Sequence, residues 1–195
     1  MSHYFTEQNG DTSNPFTITV EVDYDVFELR SDNGVFSKEH VDNATKLLIE
    51  TTRLNGDEDI LDLGCGYGVV GISLLRRHEG VNATFTDTNP RAARLTQQNL
   101  ERLGLEGDVR VGDAYSEIDG AFDVILSNPP MAAGRDKCYE FIEGAPTHLV
   151  ENGRLLLVAR HNKGGKALYK KMKSVFGNAN TLEKSGGFRV YEAIK

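Results

Sequence analysis

Hydrophobic and polar positions change period several times along this chain. From Phe16 onward, Thr17-Ile18-Thr19-Val20-Glu21-Val22 alternates, Val26-Phe27-Glu28-Leu29 alternates less cleanly, and Asp23-Tyr24-Asp25 between them suits a hairpin turn. Val41, Ala44, Leu47 and Leu48 then recur at helical spacing and predict a helix over residues 39–52. The apolar run Ile60-Leu61-Asp62-Leu63 predicts a strand that breaks into glycines before a helical pattern over 70–77. Further strands are predicted at 83–86, 108–111 and 122–128. Helices are predicted over 89–103, where Pro90 suits the first turn, and over 137–150. Residues 154–159 form a continuous apolar strand, Gly164-Gly165 introduces a basic helix to 176, and 180–183 with 188–194 read as an antiparallel pair. Strands alternating with helices predict an α/β fold with a mostly parallel sheet covered on both faces, preceded by an N-terminal β-hairpin. Residues 1–14 are polar and read as a flexible arm. Residues 15–52 read as a hairpin and helix forming a lid or platform on the main sheet, and 53–195 as the sheet itself, all in one domain.

Length and composition agree with that frame. A chain of 195 residues can bury roughly 70% of its unfolded surface without a covalent staple. Cys65 and Cys138 are far apart, the five histidines do not cluster, and no metal-ligand spacing occurs, so no metal site is expected and a reducing compartment is. No stretch reads as a signal peptide and no apolar run approaches the roughly 20 residues of a membrane span, so the expected location is cytoplasmic. The net charge of −7 is unevenly spread: residues 154–195 hold ten Lys or Arg against two Glu, a net +8 that leaves −15 for residues 1–153. A basic helix with a solvated face explains the tail as well as a phosphate-tracking surface does.

The candidate chemistry sits at the strand ends, where ligands bind in such sheets. In Asp62-Leu63-Gly64-Cys65-Gly66-Tyr67-Gly68, three glycines at alternate positions suit left-handed backbone angles and close approach to a ligand at a helix N-terminus. Gly66-Tyr67-Gly68-Val69-Val70-Gly71 also satisfies the dinucleotide fingerprint, so a nicotinamide enzyme is an alternative. Asp62 inside the strand opposes it, because a carboxylate there would repel a pyrophosphate but can hold a cationic amino-acid end. The glycines fall in the register of S-adenosylmethionine binding. Asp87, at the next strand end, suits a ribose diol, or serves only as an acid near a helix N-terminus. Asp113, at the third, suits an adenine amino group, or is a turn residue after Gly112.

The fourth strand ends in Asn128-Pro129-Pro130-Met131. The Asn128 side-chain oxygen and the Pro129 carbonyl can each accept a hydrogen from a conjugated exocyclic amine and aim its nitrogen at a methyl group, with proline fixing the main chain. A plain strand terminator is the competing explanation.

On these residues the chain resembles class I S-adenosylmethionine-dependent methyltransferases. Gly34-Val35-Phe36-Ser37-Lys38, residues 128–134 and Gly186-Gly187-Phe188-Arg189-Val190 resemble the small-domain methyltransferase family, which includes bacterial ribosomal RNA guanine-N2 methyltransferases and short archaeal relatives. The resemblance begins near Phe16 and, without an N-terminal duplicate domain, is nearer the short relatives. It implies a Rossmann-like seven-stranded sheet with an antiparallel last strand. It also implies cofactor contacts at Asp62, Gly64, Cys65, Gly66, Tyr67, Gly68, Asp87, Thr88, Asp113, Ala114 and Asn128, with Asn128, Pro129 and Pro130 catalytic. Met131 stands where relatives carry an aromatic that stacks on the target base; it is expected to contact the substrate with a polarisable apolar face, a weaker platform than a ring, and Phe36 or Tyr139 is the alternative source of stacking. Lys38, Arg135 and the basic tail are the expected RNA contacts, in a monomer or homodimer. The expected activity is methylation of a guanine, at exocyclic N2, in ribosomal or transfer RNA. Guanine N7 of transfer RNA, a protein glutamine, and non-catalytic nucleotide binding are the alternatives.

Overall fold

The structure is a computed structural model that describes residues 14–33, 35 and 40–195. Nine strands and five α-helices are described: β1 (Phe16–Val22), β2 (Asp25–Ser31), α1 (Asn43–Thr51), β3 (Asp59–Leu63), α2 (Val69–Arg77), β4 (Asn82–Asp87), α3 (Pro90–Leu103), β5 (Asp108–Val111), β6 (Phe122–Ser127), α4 (Arg135–Gly144), β7 (Leu149–Arg160), α5 (Lys166–Phe176), β8 (Asn180–Ser185) and β9 (Phe188–Ile194). Seven strands form one Rossmann-like sheet in the order β5-β4-β3-β6-β7-β9-β8. The pairs from β5 to β7 are parallel, and β9 runs antiparallel to both its neighbours.

Alternate residues of each central strand enter different cores. Ile60, Val124, Leu126, Leu156 and Val158 pack beneath α1, α2 and α3, whereas Leu61, Ile125, Leu155 and Leu157 pack beneath α4 and α5. Buried on both faces, these strands read in the sequence as continuous apolar runs.

The β1–β2 hairpin differs from its expected position on the sheet: it rests on the helices. Ile18, Val20, Phe27 and Leu29 face inward toward the first core. Arg76 of α2 grips Asp25 through two hydrogen bonds of 2.7 and 2.8 Å. Such solvent-screened pairs contribute about 0–1 kcal/mol each, so apolar burial is the main attachment. The helix expected over 137–150 ends earlier, at Gly144. A short 3₁₀ turn with Pro146 in its first turn follows, and β7 begins at Leu149. Proline cannot continue an α-helix, and Gly153, which the sequence suggested as the helix breaker, instead lies inside the strand.

One glycine shows how tightly α2 seats on the sheet. A Cβ on Gly71 would stand 2.3 Å from the fully buried Phe85 ring. Gly71→Ala should therefore lower stability by about 1–3 kcal/mol despite alanine's better helix propensity. Urea unfolding reads this directly, and an unchanged midpoint would show that the ring has room to move.

Candidate functional site

The carboxyl ends of β3, β4, β6 and β7 open into one cleft of about 730 Å³. Its floor begins at the turn after β3. Gly64, Gly66 and Gly68 have φ of 75°, 60° and 88°, angles at which side-chain-bearing residues are strained. A Cβ on Gly66 would meet nothing within 4 Å, so this glycine opens onto free space. A Cβ on Gly68 would lie 2.8 Å from Thr96 and 2.9 Å from Ile72. Gly68 serves close packing and the start of α2, and it does not line the cleft.

Two acids border this floor. Asp62 is 2% exposed, and its Oδ2 accepts the Gly71 N–H at 2.9 Å. The carboxylate thereby caps the first turn of α2 and puts a negative charge there that disfavours the pyrophosphate of a dinucleotide. Burial raises its pKa to about 7, partly offset by the Gly71 hydrogen bond and reinforced by nearby Asp87. Its second oxygen has no hydrogen-bond partner among the described residues, and Asp62 is part of the cleft lining. Asp87 accepts the N–H of Gly66 at 2.9 Å and of Asn89 at 2.8 Å. Burial holds its pKa up, against those two bonds. Asp87 therefore braces the glycine turn, with lone pairs left over for a ligand. The Thr86 hydroxyl beside it is buried without a hydrogen-bond partner among the described residues. This donor and acceptor set fits a ligand with a cationic end and a hydroxylated sugar.

The opposite wall comes from β6. Ser127 donates to the Leu63 carbonyl at 2.6 Å, tying the β6 tip to the start of the glycine turn. Asn128 follows, and its amide orientation is forced. Thr45 donates its hydroxyl hydrogen to Asp42 Oδ2 at 2.5 Å, because an ionised carboxylate can only accept. The Thr45 oxygen is then an acceptor, and Asn128 Nδ2 donates to it at 3.0 Å. Asn128 Oδ1 is thereby turned away from Thr45. Asp42 also N-caps α1, accepting the N–H groups of Ala44 and Thr45. Next in the chain, Pro130 at φ −74° and ψ 77° centres an inverse γ-turn in which the Met131 N–H bonds to the Pro129 carbonyl at 2.8 Å. That bond uses one lone pair of the carbonyl and fixes the direction of the other.

A family model, methyltransferase small domain, matches residues 26–192. The chain belongs to the methyltransferase small-domain family. The protein YbxB of Bacillus subtilis (strain 168) is 32% identical over 99% of this chain and 98% of its own length. Ribosomal RNA small subunit methyltransferase C of Sodalis glossinidius (strain morsitans) is 38% identical over 83% of this chain. The chain spans about half the length of the methyltransferase C relatives it matches, 46% in that case. Among solved structures, T. thermophilus 16S rRNA N2 G1207 methyltransferase (RsmC) in complex with AdoMet and guanosine superposes with a TM-score of 0.81. It has 24% identity, over 93% of this chain and 50% of that one. At that identity the likeness shows the shared fold.

Within this small-domain methyltransferase, the cleft gathers Asp62, Gly64, Cys65, Gly66, Tyr67, Asp87, Thr88, Ala114, Asn128, Pro129, Pro130 and Met131 from the sequence-expected set. It does not gather Gly68, Asp113 or Arg135. Asp113 is half exposed and pairs with Lys137, which does line the cleft, as do its chain neighbours Gly112 and Ala114. Arg135 is exposed at the start of α4. Phe36 and Lys38 lie outside the described residues. Tyr139 is also absent from the lining and packs under Lys171 instead. The buried Cys65 thiol, its pKa held well up by burial and by Asp62 and Asp87, is no nucleophile.

Sequence reasoning missed Asp42 and Thr45, and it named Arg160 and Lys163 only within the basic tail and Phe188 only within a family motif; all five line the cleft. Phe188 brings an aromatic ring to the cleft lining, where position 131 has methionine. Met131 itself leans on the chain after β7, where a Cβ on Gly164 would come within 2.3 Å of its methyl group.

Proposed function

We propose that this protein methylates the exocyclic N2 of a guanine in ribosomal RNA, using S-adenosylmethionine held on the β3 and β4 tips. The observation that carries this reading is the forced orientation of Asn128 in the cleft shared with Asp62 and the glycine turn. S-adenosylmethionine, when bound, supplies a methyl group already activated on sulfur, so the protein's task is positioning, a contribution that can reach about 7–11 kcal/mol. Asp62 is suited to its ammonium end and Asp87 to its ribose. Asn128 Oδ1 and the free lone pair of the Pro129 carbonyl accept the two amino hydrogens of guanine, which exposes the nitrogen lone pair. Guanine N7 has no hydrogen to give these acceptors, so they favour N2. The 38% identity to a ribosomal RNA methyltransferase supports ribosomal over transfer RNA.

Incubation with radiolabelled S-adenosylmethionine and small-subunit ribosomal RNA, followed by mass spectrometry of the nucleosides, should give N2-methylguanosine. Label in 7-methylguanosine, in transfer RNA alone or in protein would overturn the assignment. Asp87→Ala should weaken donor affinity by about one to two powers of ten, from the loss of about 1.5–3 kcal/mol of charge-assisted hydrogen bonding. Unchanged calorimetric affinity would refute the ribose role.

A further inference from the structure

The fold sorts the cations of the basic tail into groups that the sequence leaves mixed. Arg154 pairs with Glu192, Lys171 with Glu143, and Lys195 donates to the Leu149 carbonyl. Lys170 and Lys173 lie exposed on α5. The remaining five, Arg160, Lys163, Lys166, Lys184 and Arg189, collect at a single edge of the sheet. Arg160 ends β7, Lys163 and Lys166 follow it, Lys184 nears the end of β8 and Arg189 nears the start of the antiparallel β9. This is the carboxyl edge onto which the cleft opens. Among the described residues none of the five has an acidic partner in an ion pair, and residues 160–191 contain a single acid, Glu183. That carboxylate is turned onto the Lys184 N–H.

Two further observations mark the place as a site for an anion. Lys184 and Arg189 are direct cross-strand partners, a like-charge pairing that disfavours the hairpin unless something negative lies between them. Beside them is a hollow of about 250 Å³ bordered by His161, Asn162, Lys184, Phe188 and Arg189. Its shape is held by the His161 N–H bonded to the Gly187 carbonyl at 3.0 Å and by His161 Nδ1 against the Tyr191 hydroxyl at 2.8 Å. Loss of water around the His161 ring, and after it the charges of Arg189, Lys166 and Lys184, hold that histidine below the usual range. Phe188, with the Arg160 guanidinium 4.5 Å from its ring centre, borders both this hollow and the methyl-transfer cleft.

We propose that the hollow between His161 and the Lys184–Arg189 pair binds a backbone phosphate of the RNA strand whose target base enters the adjoining cleft, with Phe188 as the ridge between phosphate and base. The inference rests on the RNA reading above and adds to it where the strand leaves the cleft. A nucleotide's base and its neighbouring phosphate require this adjacency of a stacking ring and unneutralised cations.

The test is fluorescence anisotropy of a labelled single-stranded RNA carrying guanosine, titrated over a range of salt. The proteins are wild type, the double variant Lys184→Ala/Arg189→Ala and the control Lys170→Ala/Lys173→Ala. The first pair should bind about 10- to 30-fold more weakly at 0.1 M salt, with a salt slope shallower by about 1–2. The control should match wild type. Donor affinity by calorimetry should be unchanged in both, and thermal stability of the first pair should rise at low salt as the cross-strand repulsion is removed. Wild-type affinity and slope in the first pair would overturn the phosphate site and leave the RNA reading standing. Salt-independent or absent RNA binding by the wild type, as a protein substrate would give, would overturn both.

Discussion

Asn128→Ala should reduce turnover by about 10²–10³, the cost of removing one preorganised polar group from a transition-state cradle, while donor affinity changes far less. The asymmetry follows from the two walls of the cleft: the proposed donor contacts lie at the ends of β3 and β4, and Asn128 directly follows β6. Thr45→Val makes the sharper test. It removes the oxygen that receives Asn128 Nδ2 and the hydrogen that Asp42 Oδ2 receives, yet leaves the α1 cap at Asp42 Oδ1 intact. With the amide free to turn over, turnover should fall about tenfold with unchanged donor affinity, since lost positioning rather than lost binding is at stake. Single-turnover methylation with calorimetry separates the two. An Asn128→Ala enzyme with wild-type turnover would remove the proposed chemistry. A Thr45→Val enzyme with wild-type turnover would remove only the orienting role.

Asp62→Asn should make the ligand-free protein more stable and a poorer binder of the donor. The Asp62 carboxyl has a folded-state pKa of about 7 against an ordinary 3.8, owing to burial. Between those values the folded protein retains a proton that the unfolded chain has released, so stability declines as pH rises through the window and the full cost is present above it. A rise of that size corresponds to about 4 kcal/mol as an upper figure. Asparagine keeps an oxygen for the Gly71 N–H without the charge. The variant should therefore gain about 2–4 kcal/mol at pH 8 and little at pH 4. Loss of a charged contact worth about 1.5–3 kcal/mol should weaken donor binding about 10- to 150-fold. For the wild type, donor affinity should drop below pH 7 as the carboxyl takes up its proton. Thermal melts without ligand at the two pH values, with calorimetry, check both halves. A variant less stable than wild type at pH 8 would contradict this account of Asp62.

What could be read from the sequence was what neighbours in the chain decide. The strand, glycine turn and helix around Gly64 follow from local angles and period, and β5 and α3 end where the pattern placed them because Gly104 and the alternation at 108–111 are local signals. The long range was not legible. Thr45 meets Asn128 across 83 positions, so nothing near either residue announced the relay. Asp113 looked equivalent to Asp87 as an acid after a strand, yet Asp87 turns inward onto Gly66 and Asn89 whereas Asp113 is drawn to Lys137. The ten cations of the tail were a single count until β9, by running against β7, brought Arg189 back to the end of β7 and next to Lys184.

The reversed direction of β9 also has a practical side. Its first residue lies at the working edge of the sheet and its last, Ile194, at the far edge, about 20 Å away for a strand of this length. A fusion partner or biosensor tether joined after Lys195 therefore emerges behind the molecule, leaving the mouth of the cleft open to a bulky polymer.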